Sequence, residues 1–214
     1  GESLLLTGQY AEASRALQHY VESAGTDGET ARRARKYIAD CTFSLAALKR
    51  SAAFVPQNPG EAINSAYDEY FPRLTADQQT IIFTRKADNR ENFYESVRDS
   101  SGQWQPASLL TGHINSALYN EGAHCISPDG KYLFFTGCNR PEGLGSCDIY
   151  VSRREGNQWS QPYNLGTTIN TRGWEAQPTL SADGRTLYFV SNRPGGHGGY
   201  DIWRSSLQPN GQWG

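Results

Sequence analysis

Apolar residues keep two different periods along this chain. From residue 1 to 50 they recur every three or four positions, through Leu4, Leu5, Leu6, Tyr10, Ala13, Leu17 and Tyr20. That is the spacing of a helix with one buried face. The stretch Gly25–Gly28 breaks it, and a long helix is expected from Thr30 to Arg50, with Ala31, Ala34, Ile38, Cys41, Leu45 and Leu48 on one face. Residues 51–66 read as a linker. Ala53-Phe54-Val55 suits a short strand, and Pro56, Asn58, Pro59 and Gly60 stop any helix.

From Tyr67 the apolar runs shorten and one pattern recurs three times. Glu69, Glu121 and Glu175 each open a strand-like stretch that runs into a turn at Ala76-Asp77, Pro128-Asp129-Gly130 or Ala182-Asp183-Gly184. A second apolar run follows each turn: Ile81-Ile82-Phe83, Leu133-Phe134-Phe135 and Leu187-Tyr188-Phe189. Asp bonds its own backbone in such turns and Gly supplies positive φ, so each is a hairpin. Other landmarks keep the beat: Ile63-Asn64, Ile114-Asn115 and Ile169-Asn170 precede the copies, and Trp104, Trp159 and Trp213 each follow a Gly-containing turn. A third strand is expected at Phe93–Ser96, Asp148–Val151 and Asp201–Arg204, and a fourth from each Trp to about Leu110 or Leu165.

Four strands every fifty-odd residues, with a second run too apolar to be one-sided, is the sequence form of a β-propeller blade. A sandwich would have as many turns but no self-similarity at this period. The expected fold is mainly β with an N-terminal α-helical part. A truncated helical hairpin (1–50) leads through the linker into the first three blades, at about 67–119, 120–174 and 175–214, the last incomplete. Three blades cannot close a ring, so further blades are expected beyond Gly214.

Composition narrows the function. Net charge is −2, from 20 basic and 22 acidic residues that are well mixed. No basic stripe is present for a phosphate backbone, which disfavours nucleic acid. No apolar run is long enough to span a bilayer as a helix. No cofactor or metal site is expected: the four His are isolated, and the four Cys include no Cys-x-x-Cys pair. No nucleophile elbow or phosphate-binding loop occurs. Glu69, Glu121 and Glu175 could line one end of the ring as a cation or peptide-terminus site; hydrogen bonding to the blade loops is the favoured expectation. Cys138 and Cys147 flank a loop between the second and third strands of one blade, and a disulfide is expected there. A second bridge, Cys41 to Cys125, is a weaker expectation.

Two resemblances add to this. Gly8-Gln9-Tyr10-Ala11-Glu12-Ala13, with Leu17 and Tyr20, resembles the turn and second helix of a tetratricopeptide repeat. Ser127–Phe135 and Ser181–Phe189 resemble the WD40-like repeats of TolB-type propellers. Gly145-Ser146-Cys147-Asp148-Ile149-Tyr150, Ile169-Asn170-Thr171 and Ser191–Gly196 with Gly199–Trp203 resemble the propeller of Bacteroidetes OmpA-family proteins. In that family helical repeats precede the propeller and a peptidoglycan-binding OmpA-like domain follows, a layout also found in type IX secretion. The resemblance implies a non-enzymatic periplasmic scaffold associated with the outer membrane. Its partners would be other cell-envelope or secretion-system proteins, with peptidoglycan held through a domain not present here. The alternatives are an accessory propeller of a hydrolase or peptidase, and a TolB-like peptide-binding propeller.

Overall fold

A computed structural model describes residues 1–24, 28–50 and 54–214. The chain divides into two compact units, Gly1–Gln57 and Asn58–Gly214.

The first unit holds α1 (Glu2–Leu6), α2 (Tyr10–Ala24) and α3 (Glu29–Leu48). Gly8 turns the chain between α1 and α2 at φ +76°, a conformation that favours glycine. Ala13 and Leu17 of α2 meet Ala31, Ala34 and Cys41 of α3 in a buried seam. Small residues let the two helices approach closely. Leu45 and Leu48 do not join this seam, because α3 has 20 residues and α2 only 15. The last turns of α3 outrun their partner and leave Phe43, Leu45 and Leu48 exposed. The expected strand at 53–55 is also corrected. Phe54 and Val55 lie in irregular, exposed chain, where neither has a strand to pair with, and Ala53 falls outside the described residues.

The second unit is a stack of three antiparallel sheets. The first has the order β1 (Asp68–Leu74), β2 (Thr80–Ala87), β3 (Arg90–Val97), β4 (Ser108–Leu109). The second runs β5 (Asn120–Ile126), β6 (Tyr132–Cys138), β7 (Cys147–Glu155), with β8 (Gln158–Trp159) and β9 (Tyr163–Asn164) both on β7. The third is β10 (Glu175–Leu180), β11 (Thr186–Ser191) and β12 (Asp201–Ser206). The three share one register: Glu69 faces Arg85, Glu121 faces Gly137, and Glu175 faces Ser191. This is a partial β-propeller. The fourth strand does not run unbroken from the Trp. Trp159 makes a short ladder with Arg154, and the chain returns to β7 only at Tyr163. Pro162, which has no amide hydrogen to donate, falls in the gap.

Alternation along the strands builds the core between blades. Leu133, Phe135 and Tyr150 pack on Ile82 and Phe93 of the first blade. Their neighbours Phe134, Ile149 and Val151 point the other way, onto Leu187 and Phe189 of the third. The middle blade is therefore buried on both faces, as its continuous apolar runs require.

Each first strand carries a device the sequence pattern does not announce. Phe71, Ala123 and Gln177 have φ of 52°, 44° and 56°, each two residues after the repeated Glu. Each sits where the ladder to the second strand slips register. These β-bulges bend the inner strand at the same point in every blade.

The hairpin turns repeat as closely. Asp77, Asp129 and Asp183 each accept a hydroxyl from Thr75, Ser127 or Ser181 and an amide two residues on. Gly130 and Gly184 follow at φ 71° and 69°, whereas Gln78 occupies that position at φ 59° in the first blade. A side chain in this left-handed region costs about 1–2 kcal/mol. Gln78→Gly should therefore raise stability by about 1 kcal/mol. Gly184→Ala, whose new methyl would also meet Pro128 at 3.3 Å, should lower it by a similar amount. Urea denaturation midpoints of the two variants should move in opposite directions.

Candidate functional site

The repeated Glu, the Ile-Asn dipeptide and the residue after it form one construction at the head of each blade. Ile63, Ile114 and Ile169 are buried. Asn115 receives the Phe93 amide at 2.7 Å and donates to the Phe93 carbonyl at 3.0 Å. Asn170 does the same to Ile149, at 2.8 and 2.9 Å. Each Asn side chain thus stands in for a strand, satisfying both backbone groups of the preceding blade's third strand.

The next residue turns to the carboxylate. Glu69 accepts the Ser65 amide and hydroxyl, Glu121 the Ser116 amide, and Glu175 the Thr171 amide and hydroxyl. A guanidinium completes each site: Arg85 on Glu69 at 2.7 Å, Arg140 on Glu121 at 2.6 Å, Arg193 near Glu175 at 3.5 Å. Ser191 also donates to Glu175 at 2.6 Å. Arg85 and Arg193 reach on to the carbonyls of Ile63 and Ile169. Each guanidinium lies over two aromatic rings of its own blade, Phe83 and Tyr94, Phe135 and Tyr150, or Phe189 and Trp203. Cation–π attraction adds to the ion pair there.

The three arginines do not share a sequence position. Arg85 stands on β2, level with Gly137 and Ser191, whereas Arg140 and Arg193 come from the loop after the second strand. A methyl on Gly137 would lie 2.9 Å from both Nε of Arg140 and the Tyr150 ring. The middle blade therefore leaves its strand position bare to admit an arginine from the loop. Sequence reasoning found the Glu and missed its partner. The one available signal was the shared Asn139-Arg140-Pro141 and Asn192-Arg193-Pro194.

Burial and hydrogen-bond partners compete in Glu69 and Glu121 with opposite results. Burial pushes Glu69 up, but Ser65 and Arg85 together outweigh it and hold the group below the usual carboxylate range. Glu121 is fully buried, and desolvation raises it in spite of the Ser116 amide and Arg140. His124, on β5, has its ring buried edge-on against Phe93 at 5.0 Å. Neither nitrogen makes a well-formed hydrogen bond, although the Ile82 carbonyl lies near. Burial and the charge of Arg73 push the ring down to about 3, so it is neutral at physiological pH. Asp148 and Asp201 accept loop amides at the start of the third strands, from Leu144 and Gly145 and from His197 and Gly198.

The tryptophans are structural in three different ways. Trp104 lies under Arg98 at 4.0 Å. Trp159 is buried against the first blade, where its backbone meets Gly112 so closely that a methyl there would sit 2.2 Å from the Trp159 carbonyl oxygen. Trp213 packs edge-on to Phe134 at 5.9 Å.

Cys138 and Cys147 are register partners on β6 and β7 and form a disulfide, with Cα atoms 4.0 Å apart. The expected Cys41–Cys125 bridge is not made. Both are free thiols, each buried in the core of its own unit, Cys41 in the helical seam and Cys125 between the second and third blades. Among the described residues no group of three His, Cys, Asp or Glu could hold a metal ion, and no helix is long and apolar enough to cross a membrane.

Grooves open at both ends of the blades: the turn end has cavities of about 450 and 640 Å³, both lined by Asp129, and the bulge end has one. A groove of about 340 Å³ is lined by Phe71, Arg73, Ala123, His124, Gln177 and Tyr188 among others. It offers aromatic and amide surface beside one cation.

No family model matches the chain, and no curated protein does. Solved structures do. TolB from Acinetobacter baumannii aligns at 23% identity and TM-score 0.43, over 63% of this chain and 29% of TolB. A putative 6-phosphogluconolactonase from Bacteroides uniformis aligns at 18% and 0.45, over 69% of this chain and 40% of that one. A puromycin-hydrolysing peptidase from Mycobacterium tuberculosis aligns at 17% and 0.43, over 66% and 22%. The chain thus spans less than half the length of each, and each likeness is one of fold.

Two outcomes test the site. Arg140→Gln leaves Glu121 buried without its cation and should cost about 3–5 kcal/mol in alkaline buffer, where the carboxyl is ionised. Burial already pushes the folded Glu121 carboxyl up to about 7, and losing Arg140 raises it further, so the variant takes up the proton at a higher pH than the unsubstituted chain. The deficit of Arg140→Gln should therefore narrow as pH falls towards 7 and stay level below it, where both chains bury a neutral carboxyl. Denaturant titrations at several pH values check this. The disulfide closes the loop that carries Arg140. Replacing both Cys138 and Cys147 with Ser should cost about 2–3 kcal/mol in the chain-entropy account. Dithiothreitol should reproduce the loss in the unsubstituted chain and not in the variant.

Proposed function

We propose that this chain is part of a non-enzymatic, peptide- or protein-binding propeller that works outside the cytoplasm. The observation that carries the reading is how the repeated charges are used. Glu69, Glu121 and Glu175 are each bonded by their own blade's loop amide and faced by its arginine. Glu121 and Glu175 are fully buried and Glu69 nearly so, which leaves none of the three presented to a substrate. The surface proposed for a partner is the bulge-end groove, where exposed Phe71 and Arg73 stand beside Gln177, a combination that suits an extended segment bearing apolar and acidic side chains. The Cys138–Cys147 disulfide supports an oxidising compartment.

The finer reading is that of a peptidoglycan-anchored OmpA-family scaffold, with a part in type IX secretion. It rests on the sequence resemblance and on domains outside this chain. On that reading the chain itself binds envelope proteins and leaves peptidoglycan to another domain.

A photo-crosslinking residue placed at Phe71 should capture protein partners in the cell envelope, and the same residue placed at Asp129, on the turn end, should not. The purified chain should remain in the supernatant when sacculi are sedimented. Equal capture from both positions, or turnover of a peptide or ester by the purified chain, would overturn the proposal.

A further inference from the structure

Two seams lie between the three blades, and they differ in chemistry at one place. Gly122–Cys125 and Ala176–Thr179 are matching bulges on the inner strands of the second and third blades. In the seam between these blades, the Thr136 hydroxyl accepts the Gln177 amide at 3.0 Å. Pro178 follows, buried and with no amide hydrogen to place. Cys125 stands opposite Phe134 in the apolar core of the same seam.

The seam between the first and second blades carries polar groups at the equivalent points. By register, Thr84 takes the place of Thr136, His124 that of Pro178, and Arg73 that of Cys125. Thr84 is fully buried, yet its hydroxyl has no partner. The Ala123 amide, counterpart of the Gln177 amide, does not bond to it. His124 is 1% exposed, and neither ring nitrogen makes a well-formed hydrogen bond. Arg73 is exposed and, among the described residues, makes no ion pair.

These groups are neighbours. Arg73 stands opposite Ile82, and Ile82 and Thr84 share one face of β2. The His124 ring lies near the Ile82 carbonyl and against Phe93, the register partner of Thr84. The charge of Arg73 bears on both His124 and Cys125. Arg73 and His124 line the bulge-end groove, with Phe71 and Ala123 beside them.

Buried polar atoms without partners are few in folded chains, and each calls for a cause. Folding does not require these, since the neighbouring seam closes over the same backbone with proline and cysteine. A cation beside an unused imidazole N–H, at a groove, is a donor set for an oxyanion. A guanidinium matches the two oxygens of a carboxylate in one plane. The single positive charge balances the single negative charge of that group, whereas a phosphate dianion would need more.

We propose that Arg73 and His124 form a carboxylate-binding subsite of the bulge-end groove, where Arg73 takes the charge of an acidic side chain or a free C-terminus and His124 donates its N–H. The neutral ring supplies a hydrogen bond, and the cation is Arg73 alone. The subsite rests on the reading of this groove as a partner surface and names the group it recognises.

An NMR titration tests it. A chain carrying His19→Gln, His113→Gln and His197→Gln, all at exposed positions, keeps His124 as its one imidazole. Three short peptides of otherwise equal sequence serve as probes. One has blocked ends and a central Asp, one has a free C-terminal carboxyl and no acidic side chain, and one has blocked ends and Asn in place of Asp. A carboxylate peptide should move the His124 ring nitrogen signals and the Asn peptide should not; which of the first two does so identifies the source of the carboxylate. Arg73→Gln should weaken binding of the active peptide about 10- to 100-fold. His124→Leu should weaken it by about tenfold, and His124→Gln, which keeps an N–H donor, by less. Where a His124 variant fails to fold by circular dichroism, the ring signals and Arg73→Gln decide the matter. Ring signals unmoved by either carboxylate peptide, signals moved equally by all three, or unchanged binding by Arg73→Gln would each overturn the subsite. Crosslinking at Phe71 is read independently: partner capture there alongside any of these results removes the subsite and leaves the proposed function standing.

Discussion

Three carboxylates decide how the blades are built, Glu121 and Glu175 fully buried and Glu69 nearly so. Moving an ionised carboxyl out of water costs several kcal/mol unless hydrogen bonds and a counter-charge replace the lost solvent. The blade replaces it with parts drawn from three separate stretches of chain: the Ser or Thr after the Ile-Asn dipeptide, the Glu on the first strand, and an arginine on or after the second. Because no part can satisfy the carboxylate alone, the loop, the inner strand and the next strand must arrive together. The pair ties the head of each blade to the aromatic rings on which the guanidinium lies, and in the second and third blades those rings belong to the interface with the blade before. A polar requirement at one point thereby fixes where an apolar surface sits.

The apolar interface is in turn shared between neighbours. Ile149 is buried against the third blade, and Ile202, with the same side chain in the same register, is met by no following blade among the described residues. Burying such a side chain contributes about 1.5–3 kcal/mol. Among the described blades the middle one collects this contribution on both faces. The disulfide falls in the middle blade, across the loop whose arginine serves the most deeply buried of the three carboxylates.

Much of this architecture was legible in the sequence because its devices repeat. The Asp-Gly turns, the Ile-Asn pairs and the paired apolar runs are local, and a local device leaves the same residues at the same spacing each time. What escaped was set by the tertiary context. The bulges at Phe71, Ala123 and Gln177 share no residue type, since a backbone kink is imposed by the register of the neighbouring strand. The arginines escaped because one guanidinium position is reached from two different points on the chain, Arg85 from the strand and Arg140 from the loop. The space that allows the second route is a glycine, which in sequence reads only as a strand weakened by Gly137. Exposure of Leu45 and Leu48 was equally hidden, because helix periodicity shows which face is apolar and not how far the partner helix extends.

The same distinction bears on function. A ring of equivalent carboxylates invites a reading as a binding site, because repetition about an axis concentrates charge. Here the charge is neutralised within each blade, at a distance of one hydrogen bond, before it can act along the axis. What differs between the blades is then more informative than what repeats. Phe71, Ala123 and Gln177 occupy one backbone position with three unlike side chains. Arg73 stands where the other blades carry Cys125 and Thr179. Recognition of an asymmetric partner needs such unlike groups, since identical groups related by rotation cannot distinguish one end of a peptide from the other. The bulge end therefore combines a repeated backbone with unrepeated side chains, the arrangement on which the proposed binding of a peptide or protein would draw.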